Sequence, residues 1–312
     1  MKYSELIKAI EQEDDIAVFR HQHPDCDAMG SQCALTTWIR DSFPNKNVYL
    51  MGTETCDQFD FLPIDTISDS RLSRCMGIIL DTANTDRIDD QRYQKCRYLI
   101  KIDHHPDTEP FGRISYVQTS AAATCEIISE FFMEQEHRKV SLQTASFLYA
   151  GLLTDTLCFR TSNTTAHTLA MASYLAVFGV DIPGTNRRLF DQTMQEYRFA
   201  NELRSRIITD SKVAYAIFEL SDLKKWNITA SRARNFIDEM GHVKEFQAWA
   251  LFTARICDNH IVYDGSIRSK KVPINSLAAR YNGGGHVNAV GVKGLTIDSL
   301  NKFIYELKNL IH

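Results

Sequence analysis

The 312-residue sequence has no apolar signal-peptide core behind its opening Met1-Lys2-Tyr3-Ser4-Glu5, and no apolar run long enough to span a membrane. Secretion and membrane insertion are therefore not expected, and the cytoplasm is the expected location. The eight cysteines (26, 33, 56, 75, 96, 125, 158 and 257) include no C-x-x-C pair. In a chain of this size that pattern reads as reduced, mostly packed thiols and not as a disulfide frame. Tandem repeats and low-complexity stretches are also absent. Nor is there an excess of positive charge: the formal net charge of −4 argues against a protein that coats long duplex nucleic acid. A small nucleotide, which needs only a local cationic pocket, stays within reach.

What is present is an ordinary globular composition, 44% hydrophobic and 24% charged, in a chain long enough for two domains. Four apolar runs in the first half suit buried parallel strands: 16–19, 48–51, 76–80 and 98–102. Helical patterns lie between and after them, at 30–42, 122–136 and 142–152, with a further helix from Asn163 or Thr164 to Gly179. A polar, charge-rich pattern over 187–208 predicts one connecting helix. Beyond it, 213–218, 247–256 and 261–263 read as strands, with helices at 231–240 and 298–311. The fold class expected is α/β: a parallel-sheet domain (1–186), a linker helix (187–210) and a smaller α/β domain (211–312).

Three of the four early strands run into ligand-type residues. After the first comes His21-Gln22-His23-Pro24-Asp25-Cys26-Asp27, after the third Asp81-Thr82-Ala83-Asn84, and after the fourth Asp103-His104-His105-Pro106. In an open parallel sheet the carboxyl ends of strands converge on one crevice, where ligands bind. Asp155, after an apolar helix, is a candidate to complete the set. Carboxylates packed without neutralisation repel and take up protons. Together with neutral imidazoles they suit a pair of divalent cations, which at roughly 3.5–4 Å separation clamp a phosphoryl group and acidify water. Any one of these aspartates would more often be a helix cap or turn former. The joint pattern at several strand tips is what points to phosphate ester hydrolysis. Asp25 and Asp27, two apart, suit different ions, and Asp81, alone at its strand tip, is placed to bridge them.

These motifs, with Gly30-Ser31 following the first, resemble the DHH phosphoesterase family. The run Gly283-Gly284-Gly285-His286-x-x-Ala289-x-Gly291 resembles its associated C-terminal domain. The likeness covers essentially the whole length and looks most like the nanoRNase and adenosine-bisphosphate phosphatase subfamily. It implies hydrolysis of very short oligonucleotides or linear dinucleotides such as pApA to mononucleotides, a step in cyclic di-AMP turnover, and removal of a phosphate from adenosine bisphosphate. It also implies two Mn²⁺ ions, with Mg²⁺ or Co²⁺ as substitutes. His21, Asp25 and Asp81 would bind one; Asp27, Asp81, His104 and Asp155 would bind the other. His105 would contact the scissile phosphate or assist the leaving oxygen, and Asp103 would orient the neighbouring His ring. His23 is read as a bystander. Cys26 stands where a small residue is usual, which exposes the site to oxidation or thiophilic metals.

In the second domain, Gly283 to Gly285 allow backbone N–H groups to curl around an anion beside His286, and Arg268 suits bidentate phosphate binding. Arg160 and Asn84 lie near the metal motifs and are candidates for phosphate contact. The resemblance places substrate between two domains that close across the connector, which limits substrate length; a homodimer is compatible with it. The main rival is a family II inorganic pyrophosphatase. However, Arg268-Ser269-Lys270-Lys271-Val272 departs from that family's Ser-Arg-Lys-Lys-Gln order. A long-strand exonuclease would need a further strand-binding domain, and a membrane cyclic-dinucleotide phosphodiesterase would need membrane segments. A non-catalytic nucleotide sensor would have no use for a complete ligand set.

Overall fold

Runs of Ile, Val and Leu without alternation are what a strand buried on both faces requires. In a computed structural model of the chain, which describes residues 2–107 and 109–311, such runs form the middle of a parallel sheet. The chain divides into two units, Met1–Asp191 and Gln192–His312. Unit 1 runs α1 (Ser4–Gln12), β1 (Asp15–Phe19), α2 (Cys26–Ser42), β2 (Asn47–Leu50), α3 (Asp69–Leu72), β3 (Met76–Leu80), β4 (Tyr98–Asp103), β5 (Ile114–Val117), α4 (Thr124–Glu134), α5 (Leu142–Asp155), α6 (Ala166–Ala176) and α7 (Ile182–Phe190).

The five strands are parallel in the order β2-β1-β3-β4-β5. The chain steps from β1 outward to β2 and then returns to the other side of β1. That reversal between β1 and β3 is where such a sheet opens its ligand crevice. Neither α1 nor β5 stands out in the sequence. The first is short and flanked by charges, and β5 is a half-exposed four-residue edge strand.

Helices α2 and α5 cross at unusually close range because each presents a glycine to the other. A methyl on Gly30 would sit 2.5 Å from the Phe147 carbonyl oxygen, and one on Gly151 would sit 2.8 Å from the Cys26 carbonyl oxygen and 2.9 Å from Asp27 Cα. This contact brings the end of α5, with Asp155, against the start of α2, with Asp27. Gly151→Ala is expected to cost about 1–3 kcal/mol through overpacking. A urea midpoint unchanged from wild type would contradict it.

Unit 2 runs α8 (Met194–Ser205), β6 (Ile208–Asp210), β7 (Val213–Phe218), α9 (Leu220–Trp226), α10 (Ala230–Arg234), β8 (Ala248–Cys257), β9 (His260–Ser269), α11 (Asn275–Ala279), β10 (Gly284–His286), β11 (Ala289–Leu295) and α12 (Ile297–Leu310). Its six strands follow the order β10-β11-β9-β8-β7-β6, antiparallel except for β7 and β8. One face of the sheet buries Leu300, Phe303 and Leu307 of α12; another cluster gathers Phe199, Phe218, Phe236 and Trp249.

The single connecting helix expected over 187–208 is in fact two. Helix α7 begins earlier, with Pro183 in its first turn, and stops at Phe190. Thr193 then starts α8 through a capping box, its hydroxyl accepting from the Glu196 amide while the Glu196 carboxylate accepts from the Thr193 amide. The Thr-x-x-Glu signature specifies a new helix start inside a stretch whose charge pattern looked continuous. The helix expected over 231–240 is likewise a short α10 followed by a 3₁₀ turn, Asn235–Glu239.

Candidate metal centre

Strand β1 delivers His21 to the crevice, where its backbone still bridges to Ile88. Its Nδ1–H donates to the Gln22 carbonyl (2.8 Å), which leaves Nε2 as the inward-facing nitrogen. That nitrogen lies 3.3 Å from Asp81 Oδ2 and 3.8 Å from Asp25 Oδ2. Asp25 is the N-cap of α2: its Oδ1 accepts from the Asp27 and Ala28 amides, both at 3.0 Å. One carboxylate oxygen thus fixes the helix while the other faces the site.

Asp27 is fully buried. Its carboxylate accepts from the first two amides of α4, Thr124 N at 2.7 Å and Cys125 N at 2.8 Å. Ala123, the N-cap residue of α4, supplies no side-chain cap, so an aspartate from a different helix takes over that task.

Asp81 leaves β3 in the left-handed backbone region (φ 51°), a conformation Asp tolerates better than most residues but seldom adopts without local compulsion. Its two oxygens point to different partners. Oδ2 faces His21; Oδ1 lies 3.4 Å from His104 Nε2 and accepts from the Thr124 hydroxyl at 3.1 Å. His104 Nε2 is also 3.5 Å from Asp155 Oδ2 and 3.9 Å from Asp27 Oδ2. Donor atoms within 4.8 Å of one another therefore group as His21 with Asp25 and Asp81, and as Asp27 with His104 and Asp155; Asp81, His104 and His105 form a third such group.

The charge set is frustrated without cations. Burial, then the neighbouring Asp81, pushes Asp27 up to about 7. Burial and the Asp27 charge push Asp155 well above the usual carboxylate range. Burial opposes the charged form of His21, yet the hydrogen bond to Asp81 and the charge of Asp25 raise it to about 9. His104 is raised for the same reasons, chiefly by Asp81 against burial. Asp81 alone is held well below the carboxylate range, because its bonds with His104 and His21 outweigh burial. Hard oxygen donors with imidazole nitrogens, crowded so that protons must substitute for positive charge, fit divalent cations.

The ring that Asp103 orients is that of His105. Asp103 Oδ1 accepts from His105 Nδ1 at 2.8 Å and from the His105 amide at 3.1 Å. Behind it stands a residue the sequence reading passed over: Lys101, fully buried within β4. Its ammonium donates to the Ala83 carbonyl and to Asp107 Oδ1, both at 2.9 Å, and lies 3.9 Å from Asp103 Oδ2. It ties the loop after β3 to the loop after β4. A lysine amid Tyr98-Leu99-Ile100-Lys101-Ile102 was the available signal. Lys101→Met is expected to lower kcat by roughly 10–100-fold with KM little changed, since small misplacements of a reacting group are costly. An unaltered kcat would remove Lys101 from the site's support.

The remaining candidates do not join these donor groups. Asn84 Oδ1 is buried with no hydrogen-bond partner among the described residues. Arg160 is exposed, after a turn in which Leu157, Cys158 and Phe159 are all left-handed. In unit 2, Arg268 donates to the Ile267 carbonyl (3.1 Å). Ala289 pairs with Arg268 on one side and with His286 on the other, so the three share one row of the sheet. The side chain of His286 lies outside the described residues. Two of the three glycines serve packing: Gly285 has φ 137°, and a methyl there would lie 2.9 Å from Val290 Cα, while one on Gly283 would lie 3.0 Å from the Ala278 carbonyl oxygen. Gly284 has open space around it.

The model of the DHH family's N-terminal domain matches residues 15–152, and that of the DHHA1 domain matches residues 210–312. The chain is 34% identical, over 98% of both sequences, to the bifunctional oligoribonuclease and PAP phosphatase NrnA of Bacillus subtilis. The chain belongs to the DHH family. DHH proteins are metal-dependent phosphoesterases, and this one is a phosphoester hydrolase. A second DHH relative, the probable bifunctional oligoribonuclease and PAP phosphatase NrnA of Streptococcus mutans serotype c, is 36% identical over 99% of both chains. The DHH fold is shared by an exopolyphosphatase-related protein from Bacteroides fragilis, with a TM-score of 0.86 at 22% identity over 98% of this chain and 95% of that one. No helix among the described residues is long and apolar enough to cross a membrane.

Proposed function

We propose that this chain hydrolyses short oligoribonucleotides and linear dinucleotides such as pApA to mononucleotides, and adenosine bisphosphate to AMP, in the cytoplasm, using two Mn²⁺ ions. The observation that carries this reading is the divided aim of Asp81, one oxygen toward His21 and the other toward His104. His21, Asp25 and Asp81 would hold one ion; Asp27, Asp81, His104 and Asp155 would hold the other. When bound, such ions neutralise phosphoryl oxygens and bring the ionisation of water toward neutral pH. The chain's own groups do the rest. Asp103 engages Nδ1 of His105, so the opposite nitrogen is the one that would donate to a phosphoryl oxygen or to the leaving oxygen. Asp25 and Asp27, anchored on helix amides, keep the donors from collapsing on one another. The oligoribonuclease and PAP phosphatase activities of the Bacillus and Streptococcus relatives support the substrate class.

The basic run of unit 2 does not favour the pyrophosphatase reading. Lys270 donates to the carbonyls of Val243 (2.8 Å) and Lys244 (3.1 Å), and the Ser269 hydroxyl to that of Val272 (2.6 Å). Those groups brace local backbone. Chromatography of products from two- to five-mer RNAs, pApA, adenosine bisphosphate and pyrophosphate with Mn²⁺ tests the proposal: mononucleotides and AMP are expected. Orthophosphate from pyrophosphate with no mononucleotide from any RNA would overturn it. Arg268→Ala and His286→Ala should mainly weaken substrate binding, raising KM roughly 10–100-fold for the loss of a charged hydrogen bond of about 1.5–3 kcal/mol. Unchanged affinity in both would remove unit 2 from phosphate recognition.

A further inference from the structure

Cys26, the residue between Asp25 and Asp27, is fully buried, yet its sulfur faces another. Cys26 Sγ lies 3.9 Å from Cys56 Sγ, and the Gln58 side-chain oxygen accepts from both thiols, at 3.4 Å and 3.7 Å. Cys56 sits half-buried in the loop between β2 and α3, so it is the member of the pair that solutes reach. Its bond with Cys26 also pulls its thiol below the ordinary range, against burial. The other free cysteines of the described residues have no sulfur neighbour within hydrogen-bonding range in this structure.

We propose that Cys26 and Cys56 are a modification site: a dithiol that a peroxide converts to a reversible disulfide, which disables the metal centre. The Cys56 thiolate attacks one peroxide oxygen, the O–O bond breaks, one water leaves, and Cys56 becomes a sulfenic acid. Cys26 sulfur then attacks Cys56 sulfur; the S–S bond forms, the S–O bond breaks, and a second water leaves. Two thiols lose two electrons and the peroxide gains them.

The consequence follows from position. Closing the sulfurs to a disulfide length of about 2.05 Å draws them together by about 2 Å. Cys26 opens α2, and its neighbours on both sides are the carboxylates that face His21 and His104. Metal–ligand distances in a sound site hold to within about 0.2 Å of their usual values. The second half of the inference rests on the proposed metal centre; the first half does not.

The test treats Mn²⁺-loaded protein with hydrogen peroxide, then compares intact mass, a non-reducing peptide map and turnover before and after dithiothreitol. Expected are a loss of two hydrogens, a peptide joining Cys26 to Cys56, at least a tenfold fall in turnover, and recovery on reduction. Cys56→Ser, outside the catalytic machinery, should match wild type untreated and resist the oxidant. Absence of the joined peptide, or inactivation of Cys56→Ser at the wild-type rate, overturns the proposal. A joined peptide with full turnover overturns its inhibitory half. If untreated protein shows no Mn²⁺-dependent turnover, the functional reading fails, and the peptide map still decides the dithiol.

Discussion

Replacing Asp81 should lower turnover by at least 10³-fold, a loss of about 4 kcal/mol of transition-state stabilisation. Among the described residues no other carboxylate addresses both imidazoles, His21 at 3.3 Å through Oδ2 and His104 at 3.4 Å through Oδ1. Two variants separate charge from backbone. Asp81→Ala also places an ordinary residue at φ 51°, adding roughly 1–2 kcal/mol of conformational cost. Asp81→Asn tolerates that backbone and removes only the negative charge. Both should be inactive, while Asp81→Asn should lose less thermal stability without metal than Asp81→Ala. Near-wild-type turnover of Asp81→Asn would end the bridging assignment.

Stripping the cations should abolish turnover, and the accompanying fall in Tm should grow with pH. The signs follow from the buried groups. In the metal-free protein His21 keeps its proton up to about 9, against 6.5 ordinarily. Its contribution is complete below about 6.5 and is lost as pH rises through 9. Asp27 keeps a proton up to about 7, against 3.8. The folded state thus binds more protons than the unfolded chain between 3.8 and 7, and stability falls with rising pH there too. Cations replace those protons, so their binding strengthens over the same range. At about 100 times its Kd, a cation stabilises by about 2.7 kcal/mol, or about 5–10 °C in a unit of this size. Scanning calorimetry with and without chelator from pH 6 to 9 should show the gap widening. A constant or narrowing gap would contradict this charge balance.

The strand tips were legible because the signal is local: an apolar run ending in Asp or His announces both the strand and what it carries. The structure gathers His21, Asp25, Asp27, Asp81, His104 and Asp155 from four separate stretches of chain. What could not be read depended on partners distant in sequence. Thr124 is an unremarkable helix residue until its amide and hydroxyl meet Asp27 and Asp81, 97 and 43 residues away. Gly30 and Gly151 look like poor helix formers until the opposing helix explains them. Lys101 reads as a blemish in a strand, and only the fold shows the carbonyl of Ala83 beside it. The glycine run of unit 2 was legible as a motif, but its first and third members prove to be demanded by neighbouring backbone, which sequence alone cannot distinguish from an anion loop.

Because two peptide amides at the head of α4 already seat the Asp27 carboxylate, the ion does not have to organise this part of the chain in order to bind. Proteins that assemble around their metal are committed to it during synthesis. In this chain loading would be a later event: the finished polypeptide would draw on the divalent pool around it and could trade one ion for another without refolding. The ionic composition of the surroundings, and not the folding pathway, would then decide which metal is at work.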